Sequence, residues 1–151
     1  MNADSEGKFP NFRTAFMNDL ASPSHPRDLR LTLLAEPSSV VLAREMVRYA
    51  LTGWRYERDL VHDSMLVMSE IVTNAVVAAR GRRIRLRCAV RDRAPLLECW
   101  DPSPALPVRR DAPGTAESGR GLAIVAACAK EWGTRPAATG RGKVVWAMMP
   151  G

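Results

Sequence analysis

Apolar side chains recur along the chain with two different periods, and the switches between them mark out its elements. Residues 30–35 alternate, with Leu31, Leu33 and Ala35 on one side, which predicts a half-buried β-strand. Glu36-Pro37-Ser38-Ser39 breaks the alternation as a strand-to-helix turn. Val40, Ala43, Val47, Ala50, Leu51 and Trp54 then recur at steps of three and four, predicting an amphipathic helix that ends near Gly53. A second helix is predicted over 58–79, where Val61, Met65, Met68, Val72, Ala75 and Ala79 form a core stripe. Nearly opposite lie Glu70 and Asn74, flanked by Val67 and Val77, so this helix is apolar on more than one side. A plain surface helix would carry several charges there.

Gly81 closes the second helix, and residues 83–93 return to alternation: Ile84, Leu86, Cys88 and Val90 at even positions, mostly arginine at odd ones. With a turn at about 93–95 and a strand over 96–101, this reads as a β-hairpin. Asp101-Pro102-Ser103-Pro104 stops that strand, and a stretch containing Pro, Arg and Gly runs to Ser118, a length usual for functional or disordered loops. Gly119-Arg120-Gly121 is expected to open an apolar helix containing Leu122, Ile124, Val125 and Cys128. Strands at 132–136 and 143–149 follow, joined by a Gly-rich turn. The order β-α-α-β-β-α-β-β predicts an α+β two-layer sandwich, its sheet mixed or mostly antiparallel, with helices on one face and the other face wet. Residues 1–28 lack apolar periodicity and read as a flexible extension before a domain spanning 29–150.

Composition narrows the function classes. At 151 residues, 46% hydrophobic and 25% charged, the chain reads as one soluble globular domain. Cys88, Cys99 and Cys128 are odd in number and lie among apolar residues, which argues for reduced thiols and against a disulfide scaffold or zinc site. No signal core is evident, and no apolar run is expected to approach the roughly 18 residues that span a bilayer, so a cytoplasmic protein without a membrane partner is expected. Arg80, Arg82, Arg83, Arg85, Arg87, Arg91 and Arg93 against Asp92 carry +6, equal to the net charge of the chain. This segment, 80–93, is open to a nucleic-acid reading. Its strand alternation and lack of interleaved aromatics favour a solvated face and disfavour direct nucleic-acid binding. Trp54, Trp100, Trp132 and Trp146 read as core, and His25 and His62 lack a catalytic partner.

Three places can carry chemistry. Glu70 and Asn74 are one helical turn apart on one face, where a hard amide oxygen suits Mg²⁺ and a carboxylate can orient or deprotonate a hydroxyl. Ser118-Gly119-Arg120-Gly121-Leu122, at a predicted helix start, offers free N–H groups to an anion such as phosphate. Asp101, at a strand end, can accept the amino group of a base or serve turn chemistry. Gly140-Arg141-Gly142-Lys143-Val144 fails the P-loop spacing.

Taken in order, these signals resemble the nucleotide-binding fold shared by gyrase, MutL, heat-shock chaperones and histidine kinases, the Bergerat fold. "SEIVTNAV", "WDPSPALP", "SGRGLAIV", "WGTRP" and "GKVVWAMMP" look like the small bacterial anti-sigma-factor serine/threonine kinases, over about residues 29–150. The resemblance implies that Asn74 binds the Mg²⁺ bridging the phosphates of ATP and that Glu70 is the general base for a partner serine. It implies that Asp101 accepts the adenine amino group, and that Gly119, Arg120 and Gly121, between Ser118 and Leu122, present backbone and side-chain donors to the phosphates. Residues 102–118 would form a lid. The implied partners are a sigma factor and a small anti-anti-sigma antagonist, and homodimers are common among similar proteins. Three departures stand out. Pro102-Ser103-Pro104 replaces a glycine-bearing motif. Val77-Ala78 stands where relatives put Arg-His. Val144 stands where relatives usually carry a threonine expected to touch the adenine region. These leave open a catalytically weak or inactive, nucleotide-gated binding module.

Overall fold

A computed structural model describes residues 27–104 and 116–151, for 116–121 the backbone alone. The elements are β1 (Asp28–Leu34), α1 (Pro37–Gly53), α2 (Arg58–Ala78), β2 (Arg83–Arg91), β3 (Ala94–Asp101), α3 (Ala116–Cys128), β4 (Glu131–Pro136) and β5 (Lys143–Met148). This is the order the periodicity predicts. The expected extension over 1–28 falls almost wholly outside the described residues, and β1 begins at Asp28.

The strands form one sheet in the order β1-β2-β3-β5-β4, with every pair antiparallel. Pro37 opens α1 at a position where its missing N–H costs nothing, and the Ser39 hydroxyl bonds the Leu34 carbonyl across the strand-to-helix turn. The hairpin between β2 and β3 turns on Asp92 and Arg93, both at positive φ (51° and 68°), one register step before the expected turn. Two residues of left-handed backbone match the twist of paired strands, which is why the loop is that short.

All three helices cover one face of the sheet. Leu29, Leu86, Cys88, Leu97, Cys99, Val145 and Ala147 from alternate strand positions join Met46, Val47, Leu51, Met68, Ile71, Val72 and Val125 in one core. α2 packs against α1 on one flank, α3 on the other and β3 beneath, which explains apolar residues on more than one side. Val67 and Ile71 are fully buried for this reason, while Val77 is 77% exposed. Here one expectation is corrected: α2 is long and apolar enough to cross a membrane, with half of the relevant stretch buried inside the fold. Its apolar character serves a helix with neighbours on three sides.

The tryptophans also need correction. Trp54 and Trp132 pack on the core, but Trp100 and Trp146 sit at strand positions that alternate with buried ones and face away from the helices. Trp100 donates its indole N–H to the Arg141 carbonyl at 2.9 Å. Arg85 lies over the Trp100 ring, 5.0 Å from its centroid, so the aromatic neighbour absent along the sequence is supplied across strands.

Candidate functional site

Topology brings the predicted residues toward one end of the sheet. α2 finishes at Ala78, five residues before β2 begins, and Ile84 near that start flanks Asp101 at the end of β3. Asn74 therefore lies one turn before the end of α2, the end that leads into β2. Lys143, the first residue of β5, is registered directly opposite Asp101. α3 ends beside β4, where Lys130 N–H bonds the Met148 carbonyl at the far end, so its N-terminal turns run back toward Asp101.

Asp101 is 1% exposed and is fully engaged on one oxygen. Its Oδ1 accepts the Ser103 backbone N–H at 2.8 Å and the Lys143 ammonium at 3.0 Å. Lys143, 5% exposed, also donates to the Ser103 carbonyl at 3.3 Å. Asp101 thus builds the turn that ends β3, and Asp-Pro-Ser-Pro is a closed Asx-type turn clamped by a buried cation. Gly142 presses on the same turn: a Cβ there would lie 2.1 Å from the Asp101 carbonyl oxygen, and its φ is +76°. The Gly-x-Gly-Lys segment that fails as a P-loop is the floor of this corner.

Lys143 is the residue the sequence reading missed. β5 buries Lys143, Val145 and Ala147 and turns Val144, Trp146 and Met148 the other way. Val144 therefore lies on the open face, lining a cavity with Arg85 and Trp100, on the side of the sheet away from the Lys143–Asp101 pair. The signal was present: Lys143 is in phase with Val145, Ala147 and Met149.

On α2, Glu70 and Asn74 are both half-buried on the same face. Burial pushes the Glu70 carboxyl above its ordinary range. The Asn74 Nδ2 atom is buried without a hydrogen-bond partner among the described residues. Nδ2 is a donor, so out of water it calls for an acceptor oxygen, such as one on a bound ligand, and not for a cation. Among the described residues no three His, Cys, Asp or Glu side chains cluster as a metal site. A single amide oxygen nevertheless suits Mg²⁺, which binds through one or two protein oxygens, waters and phosphates.

The helix start is corrected as well. α3 begins at Ala116, so Ser118, Gly119, Arg120, Gly121 and Leu122 lie within its first two turns and Gly119 does not open it. Ala116 and Glu117 are good helix formers. Only the first few N–H groups of a helix are free, so the backbone amides of Arg120 and Gly121 belong to the helical ladder. Leu122 is buried in the core. Most of the expected lid over 102–118 lies outside the described residues.

The architecture is a two-layer α+β sandwich, a five-stranded antiparallel sheet with its helices on one face. Residues 33–149 match the family described as the histidine kinase-like ATPase domain, and the chain belongs to that family. ATP binding is the property that membership implies. No curated protein matches the chain.

Proposed function

We propose that the protein is an ATP- and Mg²⁺-dependent regulator that holds a sigma factor and phosphorylates a serine on a small anti-anti-sigma antagonist. The observation that carries this reading is the pairing on one face of α2 of the half-buried Glu70 with Asn74 one turn on, whose amide nitrogen is buried without a partner among the described residues. Asn74 supplies the oxygen ligand for Mg²⁺, whose charge offsets that of the triphosphate when bound. Asp101 retains a second carboxylate oxygen for the adenine amino group. Glu70, raised by burial, accepts the proton of the partner serine hydroxyl. Phosphoryl transfer needs chiefly positioning and charge neutralisation, which this set of groups supplies.

The Lys143–Asp101 pair favours a second reading, in which the chain binds nucleotide and partner but transfers nothing. The ammonium draws charge from the carboxylate assigned to adenine, and the proline-flanked turn stiffens the start of the lid. Incubating the full chain with γ-labelled ATP, magnesium and candidate antagonist proteins separates the two. Label on an antagonist serine supports the kinase. Nucleotide binding without transfer selects the binding module, and absence of nucleotide binding overturns both.

A further inference from the structure

On the helix-free face of the sheet, register places Arg85, Trp100 and Arg135 in one row and Arg30, Arg87 and Glu98 in the next. These side chains line a cavity of about 400 Å³, the size of a site for a few side chains. Three of the four guanidinium groups are held in place. Arg87 donates to Asp28 at 2.9 and 3.1 Å and reaches Glu98 at 3.5 Å, and Arg135 donates to Glu98 at 3.0 Å. Arg85 is fixed by stacking on Trp100 and makes no ion pair among the described residues. Arg30 is 72% exposed and reaches Asp28 only at 3.4 Å. Four arginines and one carboxylate therefore line the hollow, with two of the arginines largely uncommitted.

We propose that this arginine-lined depression is a docking site for an acidic segment of a protein partner, one bearing Asp or Glu carboxylates. A planar guanidinium fork held on an aromatic ring is preorganised for carboxylates, and complementary charge orients an incoming partner. A nucleic acid fits less well. Its phosphates need a continuous basic track, which Asp28 and Glu98 interrupt, and its bases need an open aromatic face, whereas Arg85 already covers that of Trp100. The site lies across the sheet from Asn74 and Asp101 and does not depend on the nucleotide reading.

The test is fluorescence anisotropy with a labelled twelve-residue peptide of alternating glutamate and serine, at low salt, against the full chain. Wild type is expected to bind, and Arg30→Gln/Arg85→Gln to weaken binding at least tenfold. Arg44→Gln/Arg58→Gln, the same charge change on the helical side, should alter it less than threefold. Arg85→Lys keeps the charge and loses the fork, and is expected to weaken binding several-fold even if the double variant fails to fold. Equal losses in both double variants would reduce the effect to net charge and overturn the proposal. So would tighter binding of a twelve-nucleotide oligothymidine, no peptide binding, or a wild-type dimer that the first double variant dissociates.

Discussion

Lys143 and Asp101 meet as registered partners across β5 and β3, with Nζ 3.0 Å from Oδ1 and both side chains almost wholly out of water. A buried ion pair adds little over an apolar replacement, yet removing one member strands a charge. Lys143→Met is therefore expected to lower unfolding stability by about 3–5 kcal/mol in urea denaturation. Asp101→Asn/Lys143→Met should recover a substantial part of that loss. A single variant as stable as wild type would show that Asp101 does not depend on its cation.

Gly142 holds the same corner from below. Alanine there meets both a positive φ and the Asp101 carbonyl oxygen. Left-handed backbone alone costs a non-glycine residue on the order of 1–3 kcal/mol, and the clash adds to it. Gly142→Ala should be destabilised by at least that much and should also lose ATP affinity, because the turn orienting Asp101 shifts. Gly140→Ala, with positive φ but no neighbour within 4 Å, should be milder in stability and leave ATP affinity intact.

Glu70 sets the expected pH dependence of phosphoryl transfer. A general base must be ionised, and burial raises its pKa, so the rate should rise with pH along a limb lying above the ordinary glutamate range. For stability the sign is opposite. A raised pKa favours the protonated form in the fold, so this contribution is fully present below the unfolded value and is lost as pH rises through the folded one. Glu70→Gln should abolish transfer of γ-label, leave ATP binding near wild type and, in urea denaturation across pH, remove this contribution to stability.

Asp28 acts in the other direction. The hydrogen bond from Arg87 is the largest influence and holds its carboxyl below the ordinary aspartate range. Its contribution is present above the unfolded value and is lost as pH falls through the folded one. Asp28→Asn should flatten the acid limb of a stability profile, measured by thermal unfolding between about pH 2 and pH 5, the interval in which aspartates titrate.

Much of the fold was legible because each element has one dominant period. Leu31 and Leu33, the even positions from Ile84 to Cys88, and the Val61 to Ala75 stripe all mark buried faces, and the chain order sufficed for the α+β class. Glu70, Asn74 and Asp101 stand out as candidates because their types conflict with their apolar surroundings. What failed depends on which side of a strand faces the site. Val144 and Lys143 are neighbours in sequence and opposite in space, and only pairing with β3 shows that Lys143 reaches Asp101. The start of α3 was misplaced because glycine signals a loop, whereas Ala116 and Glu117 already carry the helix. Trp100 and Trp146 misled because aromatic size suggests burial, while register puts both on the open face.

The central claim is that Asn74 and Asp101 serve a single magnesium-bound nucleotide. Isothermal titration of ATP into the full chain, in magnesium and in EDTA, tests it directly. Wild type is expected to bind ATP more tightly in magnesium. Asn74→Ala should lose that magnesium-dependent increment, at least tenfold, while keeping the wild-type unfolding midpoint. A wild-type chain that takes up no ATP at millimolar concentration, or an Asn74→Ala variant that binds Mg-ATP as well as wild type, would contradict the account.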